Sequence, residues 1–479
     1  MALHDHRRRV HRRRAHIRIP DGSRRDDRPV GSAGDRRGER QLLFGGERWG
    51  IRTDFASSRI VNTFVYSNTG FYGGGLYVYS GAPAFTKVPA WNNRASRGGG
   101  FFIDNNASVT LSSDNAGFDG IVAFNSVSEW GGDICVDEPS ATVSGLRLYW
   151  NTAYQNGGGV FLNYLYPSIK VTFLLNDISF NTAVIGVGGG VGSRHTQNLL
   201  MALNLINANT AGTTYASGSS GGVYMENSAG LLSLNYINNN VVTGTNGIGG
   251  GAYITGTSDG LALEHNTVQS NSATSTGGGL ELAMGAVARV DANLIVSNTA
   301  RAVPGVSIDE AGAVTFTNNI VAHNIGWPSY PGGLQVYGTA ARVVNNTIAD
   351  NSRLGIYLQD VNGAVVANNI VYGHLTGIDL ADQPAFVLDY NDVYANIITS
   401  TNYVGVSPGS HDVSVDPSFV GSGDLFSYYH LQPTTPLIPT SSPAWAPPDD
   451  IDGQVRVACN TPGADQIPCR YLALPEVQR

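Results

Sequence analysis

The chain has 479 residues, of which 14% are charged, 42% are hydrophobic and 60 are glycine, with a net charge of −8. Such a composition excludes a highly charged disordered polymer, and with Lys87 and Lys170 as the sole lysines it also points away from helical bundles and heptads. A β-rich, turn-dense fold is expected, and no apolar run approaches the ~20 residues that a membrane helix requires.

Charge is unevenly placed. Residues 1–50 hold 14 Arg against 7 Asp and Glu, a balance of +7, while the remainder holds 15 Lys and Arg against 30 acids, or −15, and the two sum to −8. The runs Arg7-Arg8-Arg9 and Arg12-Arg13-Arg14 lack interleaved aromatics and front an acidic body, so a disordered tail or an upstream misassigned start is expected rather than a nucleic-acid arm. The segment also lacks the apolar core of a secretory signal. Cys135, Cys459 and Cys469 are too few for a disulfide framework, although the last two could close a small loop in an exported protein, and no Cys/His spacing suggests zinc.

Next along the chain come glycine clusters ending at Gly75, Gly100, Gly159, Gly190, Gly222, Gly251, Gly279, Gly305, Gly333, Gly355 and Gly377, with Asp133 filling one slot after Gly131-Gly132. Intervals of 22 to 33 residues mark twelve structural repeats. The residue after each cluster and the third after it are apolar, as in Leu76 and Val78, Phe101 and Ile103, or Val160 and Leu162; Ser193 is the exception. That alternation marks a strand buried on one face, and the glycines supply the turn leading to it.

A second register begins at Asn176, Asn204, Asn235, Asn266, Asn293, Asn319, Asn346, Asn369 and Asn391, each two residues before Ile or Val. Five residues on stands another Asn, from Asn181 to Asn396, with His374 the departure. Short units at fixed phase cannot bury their own apolar faces, so they must stack, and stacked amides can both donate to and accept from one another. A stabilising role is therefore expected for these asparagines. The fold class expected is an all-β parallel β-helix of about twelve rungs, ~60 Å long from the ~5 Å strand spacing, with the Asn unit on a second sheet.

The N-x-[IV]-x-x-N-[ST]-[AV] and GGG[LVF] units, over roughly residues 60–400, resemble right-handed parallel β-helix repeats of the pectate-lyase-like superfamily. Stretches such as WNTAYQNGGGVFL and SNSATSTGGGLEL are similar to repeats of polymorphic outer-membrane and autotransported bacterial surface proteins. Asp416-Pro417-Ser418-Phe419, Tyr429-His430-Leu431-Gln432-Pro433, Asp450-Ile451-Asp452-Gly453 and Gly463-Ala464-Asp465 resemble the tail of exported bacterial β-helix proteins that carry a sorting region. The resemblance implies an extracellular or cell-surface protein in three parts: an Arg-rich segment at 1–50, the β-helix at 51–400, and a cap with a sorting-like tail at 401–479.

Residues alternating with the inward positions should face outward. They include Tyr77, Phe102, Phe161, Tyr224 and Tyr253, and one step on Asp104, Asp137, Asn163, Arg194 and Glu226. Partly solvated aromatics beside hydroxyl-binding groups suit an elongated sugar, so the expected function is a non-catalytic polysaccharide-binding or adhesive surface whose binding residues are Tyr77, Phe102, Phe161, Asn163, Tyr224, Glu226 and Tyr253. The alternative is a polysaccharide lyase acting on uronic-acid polymers, with Asp104 and Asp137 holding Ca²⁺ and Arg194 as base. Otherwise no cofactor is expected, nor a nucleic-acid partner, and the chain is expected to be a monomer. Polygalacturonase-like elements are missing: Asn151-Thr152 is followed by Ala153, Gly373-His374 by Leu375, and the Asp-Asp pairs Asp26-Asp27 and Asp449-Asp450 fall outside the repeats. The turn-by-turn Ca²⁺ nonapeptide is also absent, and the GGGVGS stretch at 188–193 lacks the Lys of a phosphate loop.

Overall fold

The computed structural model describes residues 50–113, 120–164, 166–212, 220–256, 260–382, 385–396, 401–456 and 460–467. The Arg-rich segment, Cys459 and Cys469 lie outside the described residues. The chain from Ile51 onward winds as a right-handed parallel β-solenoid of about twelve turns. Each turn contributes a strand to each of three long sheets. The first has 14 strands and holds the post-glycine segments, while the second and third have 13 each. A fourth sheet of 6 short strands, from Arg94–Arg97 to Val241–Val242, closes the early turns. The glycine clusters account for twelve strands of the first sheet, and Ile51–Ala56 and Tyr403–Val404 extend it at its two ends. Tyr403 follows Asn402 rather than glycine, which hides that strand from the repeat pattern.

Register follows the expected phase. Val78 pairs with Ile103, Ile103 with Val136, and Leu162 with Ser193, all pointing into one continuous core. Ser193 is tolerated there because its hydroxyl bonds Thr196 at 2.9 Å and Ser228 at 3.2 Å. At Gly157-Gly158-Gly159 the glycines serve different ends. Gly157 has φ +64°, a Cβ on Gly158 would lie 2.3 Å from the Gly189 carbonyl, and one on Gly159 would lie 2.8 Å from the Gly190 carbonyl. Asp133, standing in a glycine slot, is fully buried and accepts the side-chain amides of Asn125 and Asn151 at 3.0 and 2.5 Å; burial pushes its carboxyl well above the usual range.

The Asn unit lies on the third sheet, since the second sheet intervenes between it and the glycine strands. Two asparagine ladders flank it, both buried. Asn240 is representative: its Nδ2 donates to the Ile206 carbonyl at 2.9 Å and to Asn271 Oδ1 at 3.0 Å, while its Oδ1 accepts the backbone and side-chain N–H groups of Asn209, both at 3.0 Å. This ladder also runs N-terminally through Asn151, Asn125 and Asn93, farther than the sequence register indicated. His374 replaces one rung by accepting Asn351 Nδ2 at Nε2 (3.2 Å) and donating its backbone N–H to Asn396. Burial pushes its pKa down to about 3, which keeps the ring neutral.

The residue before each ladder Asn is left-handed. Leu175, Leu203, Leu234, Asn318, Asn345 and Asn368 occupy one corner of the third sheet, and Phe124, Trp150, Phe180, His323 and Asp350 the other, all with φ between +53° and +57° or at +59°. Beyond Val404 the tail packs along the third sheet in the later turns. Tyr429, Ile451 and Ala464 sit on Ala292, Val296, Ile320, Ala322 and Ala349. The tail is thus a flank cover. Asn240→Ala strands the Asn209 N–H groups and the Ile206 carbonyl in a dry interior, so a loss of about 3 kcal/mol or more is expected in chemical denaturation, whereas Asn239→Ala at the exposed corner loses only the roughly 1–2 kcal/mol of its left-handed conformation.

Candidate functional site

Alternation does place Tyr77, Phe102, Phe161, Tyr224 and Tyr253 on the outer side of the first sheet, away from the main core. They are not solvated, and that expectation is corrected. Phe102 and Phe161 are fully buried, and Tyr77, Tyr224 and Tyr253 are nearly so. The cause is the residue that ends each variable loop. Tyr72 stands just before Gly73, Trp130 before Gly131, Val187 before Gly188 and Ile248 before Gly249, and each folds back over the strip. Tyr72 stacks on Phe102 at 4.8 Å between ring centroids, and Trp130 lies 5.2 Å from Phe161. The bulky apolar residue immediately before glycine was the available signal.

The polar row one step on is assembled strand by strand, with Asp104 beside Asp137, Asp137 beside Asn163, Asn163 beside Arg194 and Arg194 beside Glu226. Asn163 therefore separates Arg194 from the two carboxylates. Arg194 Nε lies 2.8 Å from Glu226 Oε2, which also accepts Tyr224 Oη at 3.1 Å. The guanidinium beside Asp137 is Arg97, which the sequence reading passed over. Its Nη1 is 3.6 Å from Asp137 Oδ2, its Nε donates to Glu129 at 2.7 Å, and its guanidinium carbon lies 3.9 Å from the Trp130 ring centroid. Asn163 Nδ2 donates to the other oxygen of Asp137 at 2.9 Å, and Tyr77 Oη donates to Asp104 at 3.3 Å. Burial, then the neighbouring Asp137, raises the Asp104 pKa.

This donor set does not fit Ca²⁺. The ion takes six to eight oxygens, and here two carboxylates are available, one already facing a guanidinium and an amide. A base at Arg194 is likewise committed to Glu226 and sits two strands from Asp137. The row is a chain of local compensations.

Exposed aromatics stand elsewhere, at the corners of the third sheet. Phe124, Trp150 and Phe180 are 56%, 48% and 43% exposed and stack turn on turn at 5.3 Å with interplanar angles of 13° and 15°. Along the opposite corner Leu175, Leu203 and Leu234 are 51%, 46% and 54% exposed. On the strands beside Trp150 and Phe180 lie Arg147, Tyr149, Asp177 and Ser179, with Tyr149 and Ser179 hydroxyls both donating to Asp177.

Two outcomes test these assignments. Phe161→Ala is expected to destabilise by ~3–5 kcal/mol and Leu162→Ala by ~2–5 kcal/mol in denaturation, because both side chains are buried, although in different clusters. Glu281, enclosed on the same outer strip and accepting Ser307 Oγ at 3.0 Å, has its pKa pushed up to about 8 by burial. The folded chain then holds a proton that the unfolded chain, with an ordinary carboxyl, has released. Stability contributed by this group is greatest below about pH 4.5 and falls as pH rises to about 8. Glu281→Gln should abolish that loss, so the stability difference between variant and parent should widen across the same window.

No curated protein matches the chain. Residues 291–414 match the family described as "Right handed beta helix region", and that stretch is continuous in sheet register with the turns before it, which makes the described solenoid from Ile51 to Val404 one right-handed parallel β-helix.

Proposed function

We propose that this chain is a secreted or surface-displayed adhesive solenoid, without catalytic activity, whose working surface is the open early part of the third-sheet flank. The observation that carries the reading is two staggered rows of half-exposed residues at left-handed corners, Phe124, Trp150 and Phe180 followed by Leu175, Leu203 and Leu234, which meet on the turn of Leu175 and Phe180. A bulky residue in that conformation costs roughly 1–2 kcal/mol relative to a right-handed one, and glycine or Asn would occupy it more cheaply. Contiguous exposed apolar side chains rimmed by polar groups suit macromolecular contact. The lyase alternative receives no support from the arrangement of Asp104, Asp137 and Arg194.

Adhesion rather than sugar stacking is favoured by how the rings are used. Trp150 presents both faces to Phe124 and Phe180, leaving edges outward, and the leucine row offers nothing to hydroxyls. Beads coated with the purified chain would be challenged with neutral polysaccharides, uronic-acid polysaccharides with Ca²⁺ or EDTA, and protein-coated surfaces. Retention on protein surfaces is expected, falling by about tenfold in Trp150→Ala or Leu203→Ala with little change in melting, in keeping with ~1–2 kcal/mol of lost contact area. Calcium-dependent release of unsaturated uronate, or unchanged retention by both variants, would overturn the reading.

A further inference from the structure

The same flank is used in two ways along one solenoid. In the later turns the corner residues hold the tail. Asn318 Nδ2 donates to the Asp449 carbonyl at 2.9 Å, and Asn345 donates to the Thr461 and Gly463 carbonyls, both at 3.3 Å. Asn368 exchanges bonds with Ser442, both at 2.8 Å. On the opposite corner Tyr429 Oη bonds His323 at 2.8 Å and Asp350 at 2.7 Å. Both corner rows of the third sheet are thus a docking frame that already binds polypeptide. In the earlier turns the equivalent positions are Leu175, Leu203 and Leu234 on one side and Phe124, Trp150 and Phe180 on the other, and they remain about half exposed.

What would cover the open part is indicated by its charge pattern. On the strands Arg147–Tyr149 and Asp177–Ser179 the outward charged groups are one Arg and one Asp, on neighbouring turns and in direct register, with Tyr149 opposite Ser179. A two-fold axis parallel to these strands and midway between them exchanges the two turns. It would bring Arg147 to the partner's Asp177 and the Trp150 ring to the partner's Phe180. The patch is therefore self-complementary in sign and in shape class, as an isologous contact demands. A second copy meeting through this patch opposes a cation to an anion twice, and these local pairs work against the general repulsion of two chains whose residues after position 50 each carry −15.

We propose that a second copy of this chain docks antiparallel on the early third-sheet flank, around Arg147, Trp150, Asp177 and Phe180. The proposal rests on the flank being the adhesive surface, names its partner, and departs from the monomer expected from sequence. Sedimentation equilibrium of the full chain over the micromolar range is the test, with melting curves confirming that each variant folds. A concentration-dependent dimer is expected. Arg147→Asp and Asp177→Arg should each weaken it by about tenfold or more, and the double reversal should bring it back to within about threefold of the parent, since the pair is restored in opposite sense. Trp150→Ser should weaken it without altering the charges.

A chain that is monomeric throughout, single reversals that leave the dimer unchanged, or a double reversal that fails to restore it would each overturn the proposal. If the chain is monomeric while Trp150→Ala still lowers retention on other protein surfaces, self-docking falls and the adhesive reading stands. If a dimer forms but ignores every flank variant, and retention ignores them too, both fall.

Discussion

The structure depends first on the buried asparagine amide. A parallel solenoid must turn its backbone several times per coil inside a region that water does not reach, and each turn leaves N–H and C=O groups that the sheets cannot pair. A ladder Asn answers on both sides at once: the amide of Asn240 takes the backbone N–H of Asn209 below, reaches the Ile206 carbonyl, and hands the pattern on to Asn271. Where one rung differs, as at His374, a neutral ring nitrogen accepts in place of the amide oxygen. Where Asp133 enters, it draws the amides of Asn125 and Asn151 onto itself, and burial raises its pKa well above the usual carboxylate range.

That requirement also determines the surface. For an Asn side chain to turn inward, the residue before it takes the left-handed conformation and throws its own side chain outward. Interior and surface identity are therefore coupled one residue apart in the chain but separate in function. The third sheet is bracketed by two such corners in every middle and later turn. Asn at the corner offers an amide that binds main chain, and the tail is held by three of them; Leu or Trp at the corner offers area. Changing corner residues re-addresses the flank without disturbing the ladder behind it.

Much of this was legible in the sequence, and the limit has a physical location. Features set by local phase were readable: the strand after each glycine cluster, its inward side at Val78, Ile103 and Leu162, and the ladder positions from Asn176 onward. Features set by what lies over a surface were not. Phe161 and Leu162 have the same chemical character, and alternation separates their directions but says nothing about Trp130 returning from the preceding loop to cover the first of them. The docking of Tyr429 on His323 and Asp350 spans 106 and 79 residues, with no periodicity to announce it. The early ladder at Asn93, Asn125 and Asn151 escaped because its first-corner counterpart is missing there: Leu146, not Asn, stands in that slot and donates its backbone N–H to Asn176 Oδ1.

The same geometry governs how carboxylates and guanidinium groups at one phase meet one another. In a solenoid, residues at equal phase on successive turns are held about 5 Å apart, close enough for unlike charges to pair directly. Arg194 meets Glu226 in this way, while Arg97, in register with Trp130, reaches the adjacent Glu129 of the next turn. Arg289 is held between Asp291, two residues along its own strand, and Glu264 on the turn before. A charged row along the axis thus tends to neutralise itself in the folded state, and its value to the protein is in holding neighbouring turns in register. A reactive centre on this scaffold needs a group displaced from that register so that its charge has no axial partner. In the Asp104, Asp137, Asn163, Arg194, Glu226 row the charges instead find local partners. Arg147 and Asp177 are different in one respect: the Asp is occupied by two hydroxyls rather than by the Arg, which leaves the cation beside it for an opposite charge supplied from outside the chain.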